Sequence, residues 1–197
     1  MVNGRTGSIR GDVAHAVDLE HNDQQRLPDR SGVANRIEES REPHATGSVL
    51  SMVERVISDS RVLPFSPEAI FDVLASPAGH VEMDGSGTVQ GVAAGPDRLS
   101  KGARFRMKMK LGLPYQMAST VKEFEENRRI AWAHFGGHRW RYELESVEGG
   151  TKVTESFDWS TSIAPRFIEM VGYPERHKGN LAKTLERLET VVAARQG

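Results

Sequence analysis

After residue 100 the chain falls into short runs that alternate strictly between apolar and polar residues, and their apolar sides carry polar groups that a closed core does not need. Phe105, Met107, Met109 and Leu111 alternate with Arg104, Arg106, Lys108 and Lys110. Trp140, Tyr142 and Leu144 alternate with Arg139, Arg141, Glu143 and Glu145. Val153, Phe157 and Trp159 share a side with Glu155, opposite Lys152, Thr154, Ser156 and Asp158. Ile130, Trp132 and His134 make a fourth row, and Tyr115, Met117, Ser119 and Val121 a fifth. A period of two is that of a half-buried strand with one solvated face. Burying an unpaired neutral polar group costs on the order of 2–7 kcal/mol. Glu155, His134, Tyr115 and Tyr142 on the inward side therefore predict a curved sheet around a cavity that holds a ligand or water.

Length and composition bound the rest. A chain of 197 residues is expected to hold one domain with an appendage. No stretch approaches the roughly 18–20 apolar residues of a membrane span, and no charged-then-apolar segment opens the chain. The absence of cysteine removes disulfides and Cys-ligated zinc and fits a reducing cytoplasm, the expected location. A formal net charge of −1 argues against a general polyanion binder.

The first 47 residues contain no Phe, Trp, Tyr or Lys, and their six Arg against eight Asp and Glu leave them near −2, the remainder near +1. So little apolar surface cannot offset an ordering entropy of roughly 1–2 kcal/mol per residue, so 1–47 is predicted to be a disordered tail and 48–197 the folded domain. A docking role for the tail is the alternative. Met52, at the start of the first predicted strand, is a candidate for the true start of translation.

Within 48–197, residues 51–63 read as a strand. Ser66-Pro67-Glu68 starts a helix, with Ser as N-cap, Pro at the first helical position and an acid in the first turn. Ser76-Pro77 breaks it and opens a second short helix through His80, and an acidic Gly-rich corner, Glu82 to Gly87, follows. A short strand near 88–92 and a Gly/Pro-bearing loop over 93–102 precede the five alternating strands. Gly112 with Pro114, Glu126-Asn127-Arg128, Phe135-Gly136-Gly137 and Glu148-Gly149-Gly150 turn the successive hairpins. Connections this short leave no room for parallel crossovers, so the sheet is antiparallel. A short helix over 163–172 and a long one from Pro174, striped by Leu181, Leu185, Leu188 and Val192, complete an α+β chain.

The order strand, two helices, six strands, long helix is that of the helix-grip fold, about seven antiparallel strands wrapped around a C-terminal helix. Ser66 to Ala75, the Asp84-Gly85-Ser86-Gly87 corner, Arg128 to Trp132 and Val153 to Trp159 resemble the START-like (SRPBCC) superfamily, closest to its polyketide cyclase/dehydrase-type branch, over about residues 50–195. The family commonly carries Trp in the corner after the second helix, where this chain has Met83. The resemblance implies a deep pocket between sheet and C-terminal helix that takes hydrophobic small molecules. It implies no particular reaction.

Three functional readings follow. The first is a binding or carrier protein for a lipid-, polyketide- or aromatic-like molecule. Its walls are Phe105, Met107, Met109, Tyr115, Met117, Trp132, Trp140, Tyr142, Phe157 and Trp159, and His134, His138, Tyr142 and Glu155 give polarity. Its methionines serve equally as pocket wall or as filled core. The second is a cyclase or dehydratase with Glu155 or His134 as base and Tyr142 or His138 as donor. Glu155 alternatively pairs inside with an Arg or reaches solvent. The third is a regulatory protein that uses no small ligand. His134 and His138, facing each other across a hairpin end, lack a third clear metal ligand, so neither metal nor cofactor is expected. Basic and aromatic residues of the strands lie on opposite faces, which argues against nucleic acid. The oligomeric state is open, a homodimer included. Phe167, Ile168, Met170 and Val171 are expected to cap the pocket mouth as a lid, with 93–102 at the same rim, or else 163–171 covers an open sheet edge, and Gly179 is expected to serve close approach or bending of the long helix.

Overall fold

The structure, a computed structural model, describes residues 54–197. The predicted tail, Met52 and the first residues of the predicted opening strand lie outside the described residues. The elements run β1 (Val56–Leu63), α1 (Pro67–Leu74), α2 (Pro77–Met83), β2 (Val89–Ala94), β3 (Arg104–Leu111), β4 (Leu113–Glu125), β5 (Arg129–His134), β6 (Arg139–Val147), β7 (Gly150–Asp158), α3 (Pro165–Met170) and α4 (Tyr173–Gln196).

The two short helices are set by their caps. Ser66 accepts from the Ala69 N–H and Ser76 from that of Gly79, both at 3.4 Å, with Pro next in each case. Helix α1 buries Ile70, Phe71, Val73 and Leu74. Helix α2 runs three residues beyond the predicted stop at His80, because nothing breaks it before Asp84. There the Asp84 carboxylate accepts from the Ser86 N–H and hydroxyl through one oxygen and from the Val89 N–H through the other. That turn delivers the chain into β2.

All seven strands form one antiparallel sheet in the order β1-β7-β6-β5-β4-β3-β2. The first strand therefore pairs with the last, and the hairpins between them run in sequence. Gly112 alone makes the β3–β4 turn at φ 74°, between the paired Leu111 and Leu113. Pro114 lies within β4 opposite Lys110 instead of in the turn. A bulge at Lys122 separates the pairs Val121–Trp132 and Glu123–Ala131. One extra residue reverses the parity of the strand: up to Val121 the odd residues point inward, whereas beyond the bulge Phe124 does, its ring 5.3 Å from that of Phe71. The alternation of the sequence carries no mark of that change.

Helix α4 crosses the concave face and buries Leu181, Leu185, Leu188 and Val192. The Asp84–Gly87 corner is tied to it: the Gly85 N–H donates to Thr184 Oγ1 at 3.1 Å and Arg187 donates to the Asp84 carbonyl. A Cβ on Gly85 would overlap the α4 backbone at Asn180 and Thr184, whereas one on Gly179 would meet nothing. Gly179 thus makes no close approach. Gly85→Ala is expected to destabilise the fold by about 1–3 kcal/mol through overpacking. Gly179→Ala is expected to stabilise it by about 0.5–1 kcal/mol through helix propensity. Urea melts of the two variants check both signs.

Candidate functional site

The sheet and α4 diverge toward one end and enclose a cavity of about 330 Å³. The strands that bound it differ in length. Strand β5 pairs with β4 only from Ser119 onward, so residues 113–118 of β4 project past it, paired on the β3 side alone among the described residues. The cavity opens beside this projection, where the wall residues Leu111, Tyr115 and Arg176 are exposed. The opposite end is closed by the 95–103 loop: Leu99 is buried, and its N–H donates to the Ala75 carbonyl at 2.7 Å. The loop over 93–102 is therefore a plug, away from the mouth.

Phe105, Met107, Met109, Tyr115, Met117, Trp132, His134, His138, Trp140, Tyr142 and Glu155 all line the cavity. Phe157 and Trp159 do not. Trp140 and His177 cover the Phe157 ring at 4.9 and 5.1 Å and take the space in front of it, and Trp159 stacks behind at 5.5 Å with its indole N–H donated to Glu169. The expected lid also lies elsewhere. Helix α3 buries no residue and contributes none to the cavity wall; the N-terminal half of α4 covers the cavity instead.

That half of α4 supplies Tyr173, Arg176, His177, Asn180 and Thr184, none of them predicted as site residues. The signal was present in the sequence. The stripe of Leu181, Leu185, Leu188 and Val192, followed backward by helical spacing, turns to Thr184, Asn180, His177 and Tyr173 where the helix leaves the core. His80, a further addition alongside Met83 and the 84–89 corner, is buried beneath Trp132 with ring centroids 4.3 Å apart and bonds the Leu74 carbonyl at 2.7 Å through Nε2.

Tyr142 and Glu155 are directly opposed on β6 and β7. The tyrosine hydroxyl donates to Glu155 Oε1 at 2.7 Å, and Oε2 has no partner among the described residues. Among the described residues Glu155 pairs with no Arg, and it is almost fully buried. Burial raises its pKa to about 8 against the bond from Tyr142, with Asp84 and Asp59 adding to the rise. Near neutral pH it is a carboxylic acid. Burial pushes Tyr142 well above the usual phenol range.

The imidazoles are equally neutral. Burial takes His134 down to about 3 and His80 and His177 to about 4, and lowers His138 as well. His134 Nδ1 lies 3.0 Å from the Ser119 hydroxyl and its ring 5.0 Å from that of His138, while both His177 nitrogens lack partners. Among the described residues no group of three or more His, Asp or Glu is disposed to hold a metal ion. Apart from Asp84 and, at the mouth, Arg176, the interior is thus an apolar chamber with a few uncharged donors and acceptors. Such a set can orient a carbonyl-bearing apolar molecule, or pass protons to and from it.

These shifts set the pH dependence of stability. Between pH 4.5 and about 8 Glu155 holds a proton in the folded chain that it loses on unfolding, so stability falls as pH rises through that window. The histidines act oppositely: below pH 6.5 the unfolded chain takes up protons that the folded chain excludes, so stability falls as pH falls. Stability is expected to peak near pH 6.5 and then decline by up to about 1.4 kcal/mol per pH unit, the slope of one proton. Glu155→Gln should flatten that alkaline limb in urea melts at successive pH values. An unchanged limb would mean that Glu155 is ionised in the folded chain.

Comparison with known proteins places this geometry. Residues 54–193 match the model of the family described as polyketide cyclase / dehydrase and lipid transport. The uncharacterized protein Rv0088 of Mycobacterium tuberculosis is 41% identical over 130 residues, which cover 63% of this chain and 58% of that protein. The chain therefore spans less than two thirds of the length of that relative. Among solved structures, protein NE0264 of Nitrosomonas europaea superposes with a TM-score of 0.56 at 15% identity, covering 73% of this chain and 97% of that one. A Rhodobacter sphaeroides protein does so at 0.56 and 19%, covering 72% and 93%. These structural likenesses carry the fold, and the family match over most of the chain carries the kinship: this chain belongs to the polyketide cyclase / dehydrase and lipid transport family, within the START-like superfamily.

Proposed function

We propose that the chain binds one hydrophobic, carbonyl-bearing small molecule in the cavity under α4. The observation that carries this reading is the Tyr142–Glu155 pair, a neutral acid at the cavity wall whose Oε2 has no partner among the described residues. A buried polar atom left unsatisfied costs about 1–3 kcal/mol. A ligand carbonyl accepting from the protonated Oε2 removes that cost. A volume of about 330 Å³ lies at the small end of ligand pockets and suits a single compact molecule.

Native mass spectrometry of the purified chain against apolar ketones, esters and acyl compounds is expected to give a one-to-one complex. Met117→Trp, which fills the mouth, should abolish it. Tyr142→Phe should weaken it by roughly three- to tenfold, one hydrogen bond's worth. A wild-type chain that retains nothing across such a panel would sink the reading.

A second reading, a cyclase or dehydratase acting on a β-keto carbonyl substrate, is favoured by one observation: two proton-transfer groups of opposite state line one chamber. Glu155 is protonated up to about pH 8, and His134, neutral down to about 3, is held by Ser119. In that chemistry His134 removes a proton next to the carbonyl while Glu155 donates to the developing enolate oxygen. Glu155→Gln and His134→Ala should then each lower turnover by about 100-fold or more. Unchanged rates would leave binding alone.

A further inference from the structure

Nine large hydrophobic side chains stand exposed among the described residues, and seven of them belong to segments at the end of the sheet where the cavity opens, two of these, Leu111 and Tyr115, lining it. Leu111, Leu113 and Tyr115 occupy the projecting β3–β4 hairpin. Phe135 tips the β5–β6 turn, Ile163 follows β7, and Phe167 and Met170 sit on α3. These segments are joined. The Ile163 N–H donates to the Gly136 carbonyl at 3.0 Å, Thr161 bonds the Gly137 carbonyl at 2.8 Å, and Trp159 and Arg55 hold Glu169 of α3. With Leu113 at 80% and Phe135 at 86% exposure among them, these side chains gather at one end of the molecule, and exposed apolar groups clustered in that way mark an interaction surface.

Cations accompany them. Lys108 and Lys110 lie on the outer side of the hairpin, Arg166 on α3 and Arg176 in the first turn of α4. Among the described residues none of the four makes an ion pair with a carboxylate, and the nearby pairs Lys178–Glu175 and Arg55–Glu169 neutralise themselves. Residues 54–197 hold twenty Lys and Arg against nineteen Asp and Glu, a formal +1. The four rim cations put +4 on this end and leave −3 on everything else.

We propose that the mouth end docks on an anionic lipid bilayer. Its prominences are a hairpin turn, a second turn, a loop and a helix of six residues. They protrude as separate tips; a soft phase accommodates separate tips, whereas a protein partner's anchors need matching pockets. A second copy is disfavoured by charge, since a two-fold contact through this rim sets +4 against +4. An anionic surface instead meets both the apolar tips and the cations. Docked in this way, the cavity faces the acyl region, and an apolar cargo passes without crossing water. Only the identity of the cargo rests on the proposed function; the rim does not.

Co-sedimentation of the full chain with phosphatidylcholine vesicles containing about 30% phosphatidylglycerol tests the proposal. The chain is expected to partition onto these vesicles at about 0.1 M salt, and roughly tenfold less onto phosphatidylcholine alone or at about 0.5 M salt. Leu113→Ser with Phe167→Ser should lower partitioning by about tenfold or more, and Lys108→Gln with Lys110→Gln by a similar factor. Both pairs lie outside the cavity wall, so thermal melting and binding of a cavity ligand should remain as in the wild type. Absence of partitioning, partitioning that none of these substitutions alters, or a dimer in sedimentation velocity lost with Leu113→Ser and no vesicle binding would each overturn it. Failure of ligand binding with vesicle docking intact would overturn only the proposed function.

Discussion

The crossing of α4 over the concave sheet is the contact on which the other features depend. Its Leu181, Leu185, Leu188 and Val192 are essentially without solvent exposure, and side chains of that kind each contribute about 1.5–3 kcal/mol when buried. That seam pins the C-terminal two thirds of the helix. The N-terminal third carries Tyr173, His177 and Asn180 in the same register, and these cannot close on the sheet as leucines would. One helix thereby makes both the core and the void beside it. The Gly85 contact sets the height at which the void begins, because it fixes the α2–β2 corner against the α4 backbone.

Glu155, Tyr142 and the imidazoles of the void are held neutral by their surroundings rather than by their composition. Glu155, four histidines and Tyr142 would read in sequence as an ionisable cluster. Enclosure reverses that: the carboxyl keeps its proton and the imidazoles lose theirs. Asp84, the other carboxylate at the wall, is consumed by the Ser86 and Val89 donors that build its turn. Outward-facing charges are satisfied separately, with Glu123 receiving Arg139 and Arg141 on the convex side of the sheet. Field and chemistry are thus divided by a single layer of backbone.

The fold was legible because its strands announce themselves by period and its helices by caps; Ser66-Pro67 and Ser76-Pro77 sit where they were read. The inward rows from β3 to β6 were legible for the same reason. What escaped was what alternation does not encode. The bulge at Lys122 changes parity without changing composition, and Pro114 reads as turn chemistry although a single glycine turns the chain. Phe157 and Trp159 have the right parity for the cavity but lie behind Trp140 and His177, a matter of depth that one strand's pattern cannot carry. The helical wall was missed because the inward stripe of α4 was read only from Leu181 onward, where it is apolar. The lid was misread because α3 is apolar without being buried.

The unequal length of β4 and β5 has a consequence beyond the opening it makes. Residues 113–118 offer backbone donors and acceptors on a side where β5 no longer runs. Such a margin is the kind of template on which one chain recruits another into an extended sheet. Pro114 withholds one donor from that margin, and the tight turn at Gly112 ends it abruptly. The stretch through which a guest molecule would be admitted is therefore also the one where unwanted assembly has to be refused, and its proline answers the second demand without obstructing the first.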